Sequence, residues 1–155
     1  MNSLVLGVAI LVGAPGLKDP PKKDPAIVGE WIVESMVVGG NGPVIAPNGK
    51  MWYQITSDGK WVPRRPDGAN TGGERHYSVD PKADPPAIDI DIPPKADGAQ
   101  LRPSLGIWKV VGDTLTICFA NSGDERPKAF EATGPRTVVM VLKRAKRDAA
   151  NPPKK

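Results

Sequence analysis

The sequence predicts an all-β domain: an up-and-down antiparallel β-barrel of eight or nine short strands with little helix. Three observations lead there. First, 18 Pro and 17 Gly are spread through 155 residues, and both interrupt helices. The longest stretch free of both, 137–151, opens with the β-branched run Thr137, Val138, Val139, which favours a strand. Second, turn signals recur at close spacing between short apolar runs. Third, Ile88, Ile90 and Ile92 alternate with Asp89 and Asp91, giving one apolar and one anionic face at strand period. A helical bundle, a coiled coil and a doubly wound α/β fold are excluded on these grounds. With 39% hydrophobic and 25% charged residues, the Pro and Gly punctuate a folded chain rather than a disordered one.

The elements follow in order. Residues 4–12 (LVLGVAILV) form an apolar run too short to span a bilayer as a helix but suited to the h-region of a signal peptide. Ala14 and Gly16 supply small residues for a cut before Leu17, so 1–16 reads as a signal peptide, although no Lys or Arg precedes the run; the alternative is an extra strand or a buried arm. Residues 17–26, with KDPPKKDP at 18–25, read as an extended Pro/Lys-rich linker. The barrel domain is placed at 27–144. Its first strand, 28–38, ends at Gly39-Gly40-Asn41-Gly42, which lacks the Lys-Ser/Thr of a phosphate loop and reads as a connection. Strands at 50–56 and 60–63 flank the hairpin signal Ser57-Asp58-Gly59. A strand at 74–79 ends at Asp80-Pro81, and another occupies 88–92. Strands at 105–111 and 114–120 flank Gly112-Asp113, and strands at 128–132 and 136–144 flank Thr133-Gly134-Pro135. Closure of the meander removes exposed edges. Residues 145–155 read as a basic disordered tail.

Net charge is +4, but its distribution argues against a nucleic-acid reader. Lys143, Arg144, Lys146, Arg147, Lys154 and Lys155 stand against Asp148 alone in 143–155, so the excess lies at the terminus. The single cysteine, Cys118, excludes an intramolecular disulfide and a Cys-based zinc cluster.

Four segments carry a resemblance: 29–33 (GEWIV), 76–81 (HYSVDP) with 86–90 (PAIDI), 106–118 (GIWKVVGDTLTIC) and 139–144 (VMVLKR). Together they resemble a lipocalin-like domain family of unknown function found mainly in planctomycete bacteria. The resemblance implies a small lipocalin-like β-barrel, often exported, with no activity established for the family. Gly29 and Trp31 are similar to the Gly-x-Trp motif on the first strand of lipocalins, where the Trp closes the barrel base beneath an Arg of the last strand. Arg144 is the matching Arg here, so Gly29, Trp31 and Arg144 are expected to be structural.

Catalytic chemistry finds little support. The lone histidine, His76, could serve Cys118 as a base, but no third orienting group is apparent. Strand parity sets Cys118 opposite Leu115, Ile117 and Phe119, hence on the outer face, where a reactive thiol is expected. Asp80, Asp84, Asp89 and Asp91 match no calcium loop and suit a solvated strand face. Trp31, Trp52, Trp61 and Trp108 lie on or beside strands, where aromatics fill a core or line a cavity. The expectation is an exported, monomeric, non-catalytic barrel that binds a small apolar or amphipathic ligand. Trp52, Tyr53 and Trp108 are its expected lining, with selectivity from loops around 43–48 and 63–73. The alternative is a cell-envelope interaction module without such a ligand. Neither reading calls for a metal, a cofactor, nucleic acid or a stable membrane span.

Overall fold

Eight strands, β1 (Gly29–Val38), β2 (Trp52–Ile55), β3 (Lys60–Arg64), β4 (Arg75–Asp80), β5 (Ala87–Ile90), β6 (Ser104–Val111), β7 (Thr114–Ala120) and β8 (Thr137–Arg144), form one closed barrel. Every pairing is antiparallel and joins sequence neighbours, with β8 returning to β1. The computed structural model describes residues 26–39, 51–65, 69, 71, 73–94, 98 and 101–146. The apolar run at 4–12, the linker through residue 25, the Gly40-Asn41-Gly42 connection, the 43–48 loop and the tail from 147 lie outside the described residues.

Inward-facing residues alternate along each strand. Trp31, Ile55, Trp61, Tyr77, Val79, Ile88, Ile90, Trp108, Leu115, Ile117, Val138, Met140 and Leu142 make one core. On β1 the alternation breaks once: Val33 opposes Leu142, yet Ser35 opposes Val141, so Glu34 is the extra residue of a β-bulge. That single insertion returns Met36 and Val38, opposite Met140 and Val138, to the core side.

The expected strand at 128–132 is absent. β7 pairs directly with β8, from Thr114 opposite Lys143 to Ala120 opposite Thr137, which leaves no slot for another strand in a closed barrel. Residues 121–136 instead run over the outside of the barrel. The Arg126 guanidinium donates to the carbonyls of Gly106 (2.6 Å) and Ile88 (3.1 Å) and pairs with Asp89 at 2.7 Å. Lys109 Nζ sits 4.6 Å from the Phe130 ring centroid, and the Cys118 thiol points to the Glu131 carbonyl at 3.8 Å. Beneath this strap, outward-facing Ile107 and Cys118 are fully buried. Cys118 is therefore on the outer face but not exposed, correcting the expectation of an accessible thiol. The other expected strands differ from the observed ones only at their ends. β5 stops at Ile90, three residues before Pro93, which has no N–H for the ladder.

Candidate functional site

The two ends of the barrel differ. At one end the connections are short: 56–59, 81–86 and Gly112-Asp113. That end is closed by Trp31, whose indole N–H donates to the Ile27 carbonyl at 2.9 Å and whose side chain is fully buried. The Arg144 guanidinium lies 4.2 Å from the Trp31 ring centroid and donates to the carbonyls of Val28 (3.1 Å) and Ala26 (3.0 Å). Its cation–π contact and two charge-assisted hydrogen bonds seal the base. Gly29 belongs to the same arrangement: its φ is +148°, and a Cβ there would stand 2.6 Å from Arg144 Nη1. Tyr77, whose hydroxyl donates to the Thr56 carbonyl at 2.9 Å, ties β4 to the β2–β3 turn at the same end.

The longer connections, 39–51, 65–74, 91–103 and 121–136, all leave from the opposite end. A cavity of about 170 Å³ opens there. Its walls are Tyr53, Trp61, Ile90, Phe119 and Met140, with Pro63 and Gly73 at the rim and two polar residues, Arg75 and Ser104. The Tyr53 and Trp61 rings meet at 4.9 Å between centroids and 46° between planes, a tilted aromatic pair that fixes one wall. The Tyr53 hydroxyl donates to the Met51 thioether at 3.1 Å. Burial pushes its pKa above the ordinary value, while the nearby Arg75 charge pulls the other way. Ser104 is the one buried polar residue among the described residues, at 6% exposure.

The three residues expected to line a ligand site separate in the structure. Tyr53 lines the cavity. Trp52 follows the opposite parity: it pairs with Ile32 and Arg64, alternates with inward Tyr53 and so projects from the outer face. Two adjacent strand residues cannot share a face, so placing Trp52 beside Tyr53 in the lining is corrected here. Trp108 points inward but is 4% exposed in the packed core, its indole N–H donating to the Ala87 carbonyl at 3.0 Å, and it is not among the residues around the cavity. Of the loops expected to set selectivity, 63–73 contributes Pro63 and Gly73, while 43–48 is outside the described residues. Sequence reading missed Arg75, although its position two residues before Tyr77 and four before Val79 puts it on their face.

The reactive side chains are kept apart. Cys118 on β7 and exposed His76 on β4 are separated by β5 and β6, about 14 Å at the usual strand spacing. Burial raises the Cys118 pKa, which disfavours the thiolate a nucleophile needs. Asp89 is occupied by Arg126, and Asp80 accepts the Lys82 amide at 3.0 Å in a turn. Among the described residues no group of three His, Cys, Asp or Glu side chains is arranged to hold a metal, and no helix is long and apolar enough to cross a membrane. No protein-family model and no curated protein matches this chain, so the closed base and the one-sided cavity are what a functional reading rests on.

Proposed function

We propose that this chain is an exported, non-catalytic lipocalin-like barrel that holds one small apolar or amphipathic molecule at its open end. The observation that carries the reading is the asymmetry of the ends. One end is sealed by Trp31 and Arg144, while the other keeps an aromatic-walled cavity. A barrel serving only as a scaffold gains nothing from that space, because a void forfeits packing contacts. The resemblance of 29–33 and 139–144 to lipocalin-like sequences supports the same reading, and the 4–12 run supports export. Native mass spectrometry of protein purified from its own host tests the binder: a co-purifying small molecule is expected, and its repeated absence counts against the reading. Intact mass of the exported fraction tests processing, since retention of residues 1–16 there excludes the cut before Leu17.

A second reading, an envelope interaction module, is favoured by the outer face. Trp52 stands beside Ile32, both only partly buried, and its indole N–H is shielded from solvent with no hydrogen-bond partner among the described residues. Such a group costs about 1–3 kcal/mol until an acceptor is supplied. If Trp52→Phe weakens capture of an envelope protein while the cavity binds nothing, this second reading replaces the first.

A further inference from the structure

We infer that the cavity selects a small monocarboxylate with an apolar body about one ring in size, its carboxylate held by Arg75 at the mouth. The inference deepens the ligand-binding reading above and rests on it. Arg75 opens β4 directly opposite Trp61 and alternates with Tyr77 and Val79, so it belongs to the inner face. It is exposed and lies at the rim, where its alkyl stem can cover the wall while the guanidinium meets solvent.

Among the described residues the charges around Arg75 are engaged elsewhere. Arg126, Arg136 and Arg144 each have a carboxylate within 4 Å, at Asp89, Asp124 and Asp113. Arg75 has none among the described residues. Its chain neighbour Glu74 is committed to Lys60 at 3.0 Å. Among the described residues that line the cavity none is acidic, and Arg75 is the one that carries a formal charge. A planar guanidinium with no carboxylate among the described residues beside it is matched by a ligand carboxylate, which takes two parallel hydrogen bonds from it. A cationic ligand meets repulsion there, and a neutral one leaves the guanidinium unanswered.

The rest of the lining sets the body of the ligand. Tyr53, Trp61 and Phe119 offer three aromatic surfaces, with Ile90 and Met140 between them. A dry protein void of about 150 Å³ accepts benzene. The volume here, about 170 Å³, therefore takes one ring and excludes a long acyl chain held head-outward. Ser104, the buried hydroxyl on the wall, supplies a further hydrogen-bonding point for a substituent on that ring.

Benzoate and benzyl alcohol, equal in ring and differing in charge, are the probes, titrated into the full chain by calorimetry. Benzoate is expected to bind at least about tenfold more tightly than the alcohol. Arg75→Met should remove that difference, and Arg75→Lys, which keeps the charge, should restore part of it. Because Arg75 is exposed, both variants are expected to keep the parent thermal midpoint. Equal affinity for acid and alcohol, or unchanged benzoate binding by Arg75→Met, overturns the carboxylate inference while leaving a small-molecule barrel intact. Failure of both probes to bind overturns it too, and if host-purified protein also carries no small molecule the binder reading falls with it.

Discussion

Gly29 carries two constraints at once: a backbone φ of +148° and a guanidinium 2.6 Å from where its Cβ would be. A methyl group there pushes Arg144 off the Trp31 ring and strains the backbone. Arg144→Ala removes the cation–π contact and two hydrogen bonds to carbonyls, and is expected to lower unfolding free energy by about 1–2 kcal/mol. The Asp113 pair contributes little to that figure, since the carboxylate is 3.8 Å away and 72% exposed. Chemical denaturation of Gly29→Ala, Arg144→Ala and the double variant should reveal non-additivity, because both changes act on the same guanidinium. Additive losses would separate the glycine from the arginine. Tyr53 gives a pH prediction at the same scale. Its pKa is raised in the folded chain, so the folded state holds the phenolic proton where the unfolded state has released it. The stabilisation is complete below the unfolded value near 10 and is lost as pH rises through the higher folded value. Stability should thus fall more steeply above pH ~10 in the parent than in Tyr53→Phe. Parallel curves would exclude Tyr53 as the group responsible.

At the scale of elements, two features depart from simple alternation. The Glu34 bulge in β1 lets a ten-residue strand keep Trp31 and Val33 inside at one end and Met36 and Val38 inside at the other. Without the extra residue, Met36 and Val38 would face out and Ser35 and Val37 would take their places at the mouth end of the core. The second feature is the 121–136 strap, which converts an outer sheet face into a small buried layer containing Ile107 and Cys118. Since Cys118 is buried and its pKa raised, it should react with Ellman's reagent only when the strap opens. Arg126→Ala removes the ion pair and both carbonyl contacts; with the side chains about a third exposed, the loss is put at about 1 kcal/mol, or roughly a fivefold faster labelling rate. Labelling at the parent rate would mean that something other than Arg126 holds the strap. The sequence could not place this segment on the outside. Lys128 to Ala132 has the length of a strand between turn signals, and only the direct β7–β8 pairing denies it a ladder.

For the whole molecule, closure is the organising fact. Each strand pairs with the next and the last returns to the first, so none of the eight described strands is an edge strand. Closure also creates two non-equivalent ends. At the base, tight turns draw the strands together over Trp31; at the mouth, the barrel wall keeps a cavity beside Tyr53, Trp61 and Phe119. Filling the mouth should therefore silence binding without harming the base. Met140→Phe is expected to abolish benzoate binding at a stability cost of about 1–3 kcal/mol from overpacking, measured by calorimetry and denaturation on the same protein. Undiminished binding would move the ligand site out of the cavity.

The sequence by itself determined the all-β class, the strand order, most strand boundaries and the hairpin turns, because Pro, Gly and β-branched residues act locally through φ/ψ preference and period-2 burial. The resemblance carried by 29–33 and 139–144 also pointed to Trp31 and Arg144 as a pair, although they are 113 residues apart in the chain. On β2, where the adjacent aromatics Trp52 and Tyr53 leave parity ambiguous, tertiary structure decided which residue looks inward. Tyr53 and Trp52 are adjacent aromatics, and only the register with Trp31 and Ile32 sends one into the cavity and the other outside. The same holds for Arg75, unremarkable as a charged residue at a strand start until its opposition to Trp61 turns it toward the mouth. Side-chain direction in a barrel depends on pairing between distant segments and on where a bulge resets the alternation, and neither is encoded in any short window of sequence.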